Sequence, residues 1–231
     1  MGRGVQQKVE IALQQLIWYN VRKAFKRKAG RLWAFFTDKD AEENFAIDTL
    51  FDAVAIGEYL IDFTPNGIGP MGYPLYEMNP GGAPANCLAG CARLGGRTGI
   101  ISAVGNDFFG RFLKQKAVQA DIEISGLQTV GAGTTLAFVS LEGQGERELA
   151  FVRAPGADTQ IRRDALALPL LENTKYLHFG SLSLTDEPAR STTAYAIEYA
   201  RSRGAKISYD PNYRKQLWRD EAAAKEQMSG A

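Results

Sequence analysis

The sequence predicts an α/β fold in which a parallel sheet is flanked by helices. From Phe51 onwards, short apolar segments alternate with segments whose apolar residues recur at helical spacing. This alternation is typical of parallel sheets, because the crossover between two parallel strands usually contains a helix. The chain has 231 residues, of which 45% are hydrophobic and 23% charged, as in an ordinary globular protein.

The individual elements follow in a regular order. Strands are predicted at residues 52–56, 98–104, 175–179 and 206–209. The first helix begins near Pro84, which suits a first helical turn, and ends before the glycine pair at 95–96. Further helices are predicted around residues 109–117 and at residues 188–204.

Two inserts interrupt the alternation. Residues 58–80 read as extended chain with turns at Pro65-Asn66-Gly67 and Asn79-Pro80, and residues 134–153 read as a hairpin around Gly143 and Gly145. Strands outside an alternating core can form a lid or an oligomer interface. We therefore predict a small β lid made of these two inserts.

The first 48 residues differ from the rest. Apolar residues from Val9 to Ile17 follow helical spacing, and basic residues dominate positions 1–31, where Glu10 is the only acidic residue. Such a helix can lie on an anionic membrane surface or dock a partner. The alternatives are a solvated appendage and a piece of upstream sequence that is not native to the domain. The predicted division is a basic amphipathic helical extension at 1–48 and an α/β domain at 49–231.

Composition argues against several function classes. The net charge of +1 gives no indication of nucleic acid binding, and no apolar run reaches the roughly 18 residues of a membrane span. The start lacks the pattern of a secretory signal. The two cysteines, Cys87 and Cys91, are too few for a zinc site and are predicted to be a small buried pair. A reduced, cytoplasmic protein is the expectation.

Two glycine patterns and the single histidine are not predicted to carry chemistry. Residues 67–72 have the spacing of a dinucleotide-binding turn, but Pro70 and Pro74 prevent a helix from starting there. Residues 105–112 have the glycine spacing of a phosphate-binding loop but lack its lysine and its hydroxyl residue. His178 lies in an apolar strand and is predicted to pack in the core.

Glycines and polar residues beside the first helix are compatible with a site for a polyol. Gly81 and Gly82 allow backbone to approach a ligand closely, and Asn86 lies in the first helical turn, where it can donate and accept hydrogen bonds. Asp62 follows an apolar stretch and is expected just past a strand end, where open α/β sheets bind ligands. On these residues alone, a plain tight turn and a solvated aspartate remain open alternatives.

A second polar group follows the last predicted strand. Asp210, Asn212 and Arg214 alternate along the chain immediately after residues 206–209. Arg214 offers a planar guanidinium to phosphate oxygens, and the other two offer oxygen donors to Mg²⁺ or its waters. Three such side chains at one strand end indicate a phosphate-facing site.

These motifs together resemble the PfkB carbohydrate kinases, the ribokinase-like family, and most of all its bacterial fructokinases. The matching segments occur in family order: Gly57-Glu-Tyr-Leu-Ile-Asp62-Phe, Gly81-Gly-Ala-Pro-Ala-Asn86, Gly105-Asn-Asp-Phe-Phe-Gly110, the hairpin of residues 135–158, His178-Phe-Gly-Ser-Leu-Ser183 and Asp210-Pro-Asn-Tyr-Arg214. Leu88 departs from the pattern, which has a small residue there, and we interpret it as a packing variant.

The resemblance implies a ribokinase-like sheet with a β lid and, for a complete domain, a homodimer formed through that lid. It implies that ATP, with Mg²⁺, donates its γ-phosphate to a sugar hydroxyl, most similar to the conversion of fructose to fructose 6-phosphate. By position it assigns a sugar-binding set: Asp62, Gly81, Gly82, Asn86 and, from beneath the lid, Arg153. It also assigns a set that faces the phosphates and the metal: Asp210, Asn212 and Arg214.

One departure from the family pattern concerns catalysis. The family's general base is an aspartate in a late Gly-Ala-Gly-Asp turn, and no such turn follows Arg214. The resemblance implies a C-terminally truncated domain, with the base expected beyond Ala231 and negligible turnover by this chain alone. Two alternatives stay open. Arg153 and Arg214 would suit the acidic substrate of a 2-keto-3-deoxygluconate kinase, and a non-catalytic sugar-binding or interaction protein would need no base.

Overall fold

The computed structural model describes residues 50–141 and 147–229. The predicted helical extension of residues 1–48 and the turn expected around Gly143 and Gly145 therefore lie outside the described residues. In the described ranges, no helix combines the length and the hydropathy that crossing a membrane would require.

The described ranges contain nine strands and five α-helices. In chain order the strands are β1 (Ala53–Ile56), β2 (Leu60–Ile68), β3 (Pro74–Gly81), β4 (Thr98–Gly105), β5 (Ile122–Val130), β6 (Leu136–Leu141), β7 (Arg147–Val152), β8 (Tyr176–Gly180) and β9 (Lys206–Asp210). The helices are α1 (Ala83–Arg93), α2 (Phe108–Gln119), α3 (Leu168–Glu172), α4 (Ala189–Ser202) and α5 (Glu221–Ser229).

The main sheet contains five strands, all parallel, in the order β5-β4-β1-β8-β9. β1 is the central strand, and apolar side chains leave it on both faces. Val54 and Ile56 belong to the apolar cluster that contains Phe179 and α4, whereas Ala55 belongs to the cluster that contains Leu88 of α1 and residues of α2. A parallel strand covered on both faces needs a continuous apolar run, which explains the sequence of β1.

A second sheet of four strands, in the order β3-β2-β6-β7, comes from the two segments that the sequence marks as inserts. β2 pairs antiparallel with β3, and β6 pairs antiparallel with β7, so each insert contributes a hairpin. The two hairpins join through parallel pairing of β2 with β6. Phe63 stacks on Phe138 with ring centroids 4.8 Å apart and meets the edge of Phe109 of α2 at 6.0 Å. These rings pack the second sheet against the helical layer.

The structure confirms the predicted α/β fold, with a parallel sheet and helices on its faces. Three elements were not predicted: β5, α3 and α5. β5 reads Ile-Glu-Ile-Ser-Gly-Leu-Gln-Thr-Val, with an exposed Glu123 and Ser125 between less exposed residues. This strand lies at the sheet edge, so its sequence lacks the continuous apolar run of the central strands.

Two predictions about α1 have different outcomes. Leu88 is completely buried, which agrees with its interpretation as a packing residue. The prediction of a buried cysteine pair is wrong, because Cys87 is exposed and Cys91 is half-buried, although both thiols are free. Position 87 lies on the side of α1 away from the buried face that Pro84, Ala85 and Leu88 form.

Candidate functional site

Three chain segments meet at the carboxyl end of the main sheet. β1 leads into Glu58, β8 ends at Gly180, and β9 ends at Asp210. A Cβ atom built on Gly180 would lie 3.6 Å from Oε2 of Glu58 and 3.9 Å from the carbonyl oxygen of Asp210. The N-terminus of α1 reaches the same place, since that Cβ would also lie 3.7 Å from Pro84. This edge is where open α/β sheets bind ligands.

Two glycines, Gly81 and Gly82, connect β3 of the second sheet to α1. Gly82 has φ of 105°, and a Cβ atom there would lie 2.4 Å from the carbonyl oxygen of Glu58. A Cβ atom on Gly81 would overlap the carboxylate of Asp62, which therefore lies directly against the backbone of the turn. Gly82 needs glycine because of the close approach to backbone and because of its positive φ, whereas a side chain at Gly81 would displace the Asp62 carboxylate.

The first turn of α1 presents backbone N–H groups and one exposed amide. Gly82 makes no side-chain cap, and Pro84 occupies the first turn, where its missing N–H costs nothing. Asn86 donates its backbone N–H to the carbonyl oxygen of Gly82 at 2.9 Å, while its side chain is exposed. The amide of Asn86 is therefore free to meet a ligand beside the turn.

Asp62 lies within a strand of the second sheet, which corrects the expectation that it follows a strand end. It is the third residue of β2 and pairs with Asn79 of β3. Its side chain still reaches the Gly81 backbone, because β2 and β3 run antiparallel. Burial raises the pKa of the Asp62 carboxyl, and the positive charge of Arg214 opposes that rise. Asp62 and Arg214 are thus within electrostatic reach of each other.

The polar group after β9 forms a turn of its own. Asn212 has φ of 30° and donates its backbone N–H to Oδ1 of Asp210 at 3.1 Å, an arrangement that asparagine tolerates well. Asp210 also acts electrostatically on Cys87 of α1 and on His178 of β8. Together with the effect of Arg214 on Asp62, this puts the β9 end within electrostatic range of α1 and of Asp62.

Arg153, which the resemblance assigns to the sugar from beneath the lid, is held by residues of this chain, and its contact with a sugar stays a prediction. Its side chain is 4% exposed and forms an ion pair with the buried Asp158 at 2.7 Å. It also donates to Thr185 Oγ1 at 2.9 Å and to the carbonyl oxygen of Leu182 at 3.1 Å. A buried aspartate needs a counter-charge, and Arg153 supplies it.

Glu58 is the buried carboxyl that sequence reasoning did not single out. It is 2% exposed, and its Oε1 accepts a hydrogen bond from the backbone N–H of Ala83 at 3.0 Å. Burial is the largest cause that raises its pKa to about 7; Asp158 adds to the rise, whereas the Ala83 hydrogen bond and Arg153 oppose it. The sequence signal that could have identified Glu58 as buried is its position between the apolar residues 53–56 and 59–61.

His178 packs in the core, as predicted. It is 9% exposed, and its Nδ1 lies 3.0 Å from Ser208 Oγ. Burial lowers its pKa and Asp210 opposes that change.

Within residues 50–141 and 147–229, no three His, Cys, Asp or Glu side chains converge on a point where they could hold a metal ion.

A separate cavity of about 590 Å³ is lined by none of these residues. It lies at the end of β5, among Gln128, Gly131 and Arg162. The side-chain amide of Gln128 is already hydrogen-bonded to the backbone of Arg162. Its Nε2 donates to the Arg162 carbonyl oxygen, and its Oε1 accepts from the Arg162 N–H. We therefore assign the candidate site to the Asp62 and Gly81 region, where Asp62 lies against the turn and the side chain of Asn86 is exposed.

Replacing Gly82 should show what the close contact with Glu58 contributes. Gly95 is a matched control, because it also has positive φ, 86°, but nothing lies within 4 Å of a Cβ atom built there. We expect Gly95→Ala to lower the free energy of unfolding by roughly 1–2 kcal/mol through backbone strain. Gly82→Ala should cost about 1–3 kcal/mol more, because of the clash with backbone. Equal losses in urea denaturation would contradict the contact.

The raised pKa of Glu58 predicts a pH-dependent stability. Its carboxyl has pKa about 7 in the folded chain against 4.5 ordinarily, so the folded state binds more protons between these values. The free energy of unfolding should therefore fall as pH rises from 4.5 to 7.5, by roughly 3 kcal/mol relative to Glu58→Gln. Urea titrations at several pH values measure this. Glu226→Gln, on an exposed residue of α5, is the control, and parallel curves for wild type and Glu58→Gln would refute the prediction.

Comparison with known proteins gives a consistent result. The model of the pfkB family carbohydrate kinases matches residues 51–230. The chain is 43% identical over 194 residues to the probable fructokinase-7 of Arabidopsis thaliana, covering 81% of this chain and 57% of that protein. It is also similar to the fructokinase of Xylella fastidiosa, with 32% identity, a TM-score of 0.72 and coverage of 79% of this chain and 58% of the other.

A further solved structure is the fructokinase of Vibrio cholerae O395 with fructose, ADP and calcium ion bound, at 30% identity and a TM-score of 0.69, covering 78% of this chain and 57% of the other. The Xylella enzyme has also been solved with bound ATP. This chain spans less than two thirds of the length of these relatives. The match covers almost the whole of the described residues, and the chain belongs to the PfkB family of carbohydrate kinases.

Proposed function

We propose that this chain carries the sugar-binding and phosphate-facing part of a fructokinase, which converts fructose to fructose 6-phosphate with ATP. The observation that carries the proposal is the Asp62 carboxylate, which lies against the Gly81 backbone and within electrostatic reach of Arg214. Similarity to fructokinases solved with fructose and ADP or with ATP supports the choice of ligands.

The sugar would be held by groups on both sides of the glycine turn. Asp62 accepts hydrogen bonds from sugar hydroxyls, and Asn86 donates and accepts beside it. Gly81 lets the Asp62 carboxylate lie against the turn, and Gly82 lets the turn lie against the Glu58 carbonyl oxygen, because a Cβ atom at either position would collide with these groups. A carboxylate accepts hydrogen bonds from neutral hydroxyl donors but repels a negative charge, which suits a polyol better than an anion.

The phosphates of ATP would lie toward the end of β9. Arg214 faces the transferred phosphoryl group and neutralises charge that builds up in the transition state. Asp210 and Asn212 offer one carboxylate and one amide oxygen, a donor set that fits Mg²⁺ only if the ion keeps most of its waters. Bound Mg²⁺ would supply further neutralisation of the phosphates.

Transfer itself needs a base for the attacking hydroxyl. The hydroxyl oxygen forms a bond to the γ-phosphorus, the bond to the bridging oxygen of ADP breaks, and the proton must pass to a placed acceptor. The aspartate turn that plays this part in the family pattern does not follow Arg214 in this sequence. We therefore propose that the 231-residue chain binds the sugar but has negligible turnover by itself.

The alternative of an acidic sugar substrate is less well supported by the site. A 2-keto-3-deoxygluconate kinase would use arginines for the substrate carboxylate. Arg153 would first have to leave Asp158, Thr185 and Leu182, to which its guanidinium is bound. A neutral ketose needs no such rearrangement.

We also propose that the protein lies in the cytoplasm, where its two free thiols would stay reduced.

The second sheet is a candidate dimer surface. Large apolar side chains are exposed on the β2–β3 hairpin: Ile68 at 68%, Met71 at 82%, Tyr73 at 70%, Leu75 at 48% and Tyr76 at 43%. A run of this kind on one hairpin exceeds the scattered exposure that is normal for a monomer. We propose that two copies associate through this hairpin.

Removing the Asp62 charge tests the sugar site. Asp62→Asn keeps the shape but loses a charged acceptor, so fructose affinity should fall about 10-fold to 100-fold. Calorimetry with fructose and with 2-keto-3-deoxygluconate measures affinity and selectivity. The control is Asp121→Asn, an exposed residue at the opposite end of the sheet. Equal fructose affinity in wild type and Asp62→Asn, or a preference for the acid, would refute the proposal.

A charge on the hairpin tests the dimer. Tyr73→Lys should shift the chain from dimer to monomer in sedimentation velocity, because a lysine at the centre of an apolar contact is costly to bury. Val118→Lys, on an exposed α2 position at 55%, introduces the same charge away from the hairpin and should leave the dimer intact. A monomeric wild type, or a dimer that tolerates both changes, would refute the proposed surface.

A further inference from the structure

Glu58 lies where the chain passes from the main sheet to the second sheet. It stands between the end of β1 at Ile56 and the start of β2 at Leu60. Only 2% of the residue is exposed, so its carboxyl is not available to solvent or to a ligand in the open part of the site. Burying a carboxyl group is energetically costly, so hydrogen bonds and charge partners must offset the cost.

One carboxyl oxygen and one backbone atom of Glu58 hold the N-terminal end of α1. Oε1 accepts from the N–H of Ala83, the first residue of the helix, at 3.0 Å. The Glu58 carbonyl oxygen lies against Gly82, as the short distance to a Cβ atom built there shows. Because Gly82 has no side chain to cap the helix, Glu58 provides the acceptor from a distant part of the sequence.

The other carboxyl oxygen faces the junction of the two sheets. Oε2 is buried and accepts no hydrogen bond from the described residues. It points toward Gly180 at the end of β8. Two charged groups act on the Glu58 carboxyl: Asp158, in the 3₁₀ turn Ala157–Gln160, and Arg153, which follows β7. The Glu58 side chain therefore contacts or faces the helix, the main sheet and the end of the second sheet.

We propose that Glu58 is a positioning residue of the sugar site: its buried carboxylate fixes the Gly82–Ala83 backbone, and thereby the distance between Asp62 and Asn86, without touching the sugar. This rests on the proposed function for the identity of the ligand. The helix end also favours a negative charge, since its N–H groups carry partial positive charge.

Protonation of Glu58 should weaken this hold. An ionised acceptor makes a stronger hydrogen bond to N–H than a neutral one, and only the ionised form carries a negative charge that attracts the helix end and Arg153. The carboxyl has pKa about 7, so both forms are populated near neutral pH. If sugar binds best to the ionised form, affinity should follow the ionised fraction and rise between pH 6 and pH 8.

The test measures fructose affinity by calorimetry at pH 6, 7 and 8 for wild type, Glu58→Gln and Glu58→Leu. We expect wild-type affinity to rise about fivefold to tenfold across this range, following the population of the ionised form. Glu58→Gln keeps an acceptor for Ala83 but cannot ionise, so its affinity should be flat. Glu58→Leu should bind more weakly at every pH. Glu226→Gln, the exposed control, should follow wild type.

Hydrogen exchange separates failure of this inference from failure of the proposed function. If wild type does not bind fructose, the proposed function is wrong, and the exchange of the backbone N–H groups of Ala83, Ala85 and Asn86 decides the role of Glu58. Faster exchange there in Glu58→Leu, with α2 unchanged, supports the positioning contact. Unchanged exchange at residues 83–86, or the same pH profile of affinity in wild type and Glu58→Gln, overturns it.

Discussion

The contact between two backbone segments at the Gly81–Gly82 turn is the constraint on which the rest of the site depends. A Cβ atom on Gly82 would lie 2.4 Å from the Glu58 carbonyl oxygen, and one on Gly81 would overlap the Asp62 carboxylate. A side chain at Gly82 would push the start of α1 away from the Glu58 backbone, and one at Gly81 would displace the Asp62 carboxylate. The proposed sugar site, with Asp62 on the second sheet and Asn86 on α1, depends on this close packing.

The buried charges near the Gly81–Gly82 turn are also closely packed. Burying charge is unfavourable unless each charge finds partners, and the Arg153–Asp158 pair meets this requirement with side-chain exposures of 4% and 1%. Glu58 adds a second carboxyl beside the pair, and burial together with Asp158 raises its pKa. Arg153 therefore joins the end of the second sheet to the main body, whereas Arg214 is the cation that acts on Asp62.

Much of this arrangement was predictable, because it depends on local patterns. The continuous apolar run of β1 and the glycine pair before Pro84 each indicate their structure directly, and the polar residues after β9 do lie at a strand end. Asp62 was misplaced because an apolar stretch before a carboxylate reads equally well as a strand that ends and as one that continues. β5 was missed because an edge strand lacks the apolar run of a central one.

The roles of Arg153 and Glu58 could not be predicted from the chain alone. Both depend on contacts between residues far apart in sequence: Arg153 with Leu182 and Thr185, and Glu58 with Ala83. A sequence pattern identifies an arginine near a lid but does not show which buried acid already holds it. The tertiary structure alone shows that Asp158 occupies Arg153 and that Glu58 caps a helix from a distant segment.

The central claim is that a sugar binds between the Asp62 carboxylate and the first turn of α1. A crystal structure of this chain grown with fructose measures it most directly. The account predicts fructose density with hydroxyl groups in hydrogen-bond contact with Asp62 and Asn86, over the Gly81 backbone. Density in the cavity of Gln128 and Arg162 with the Asp62 site empty would contradict the account.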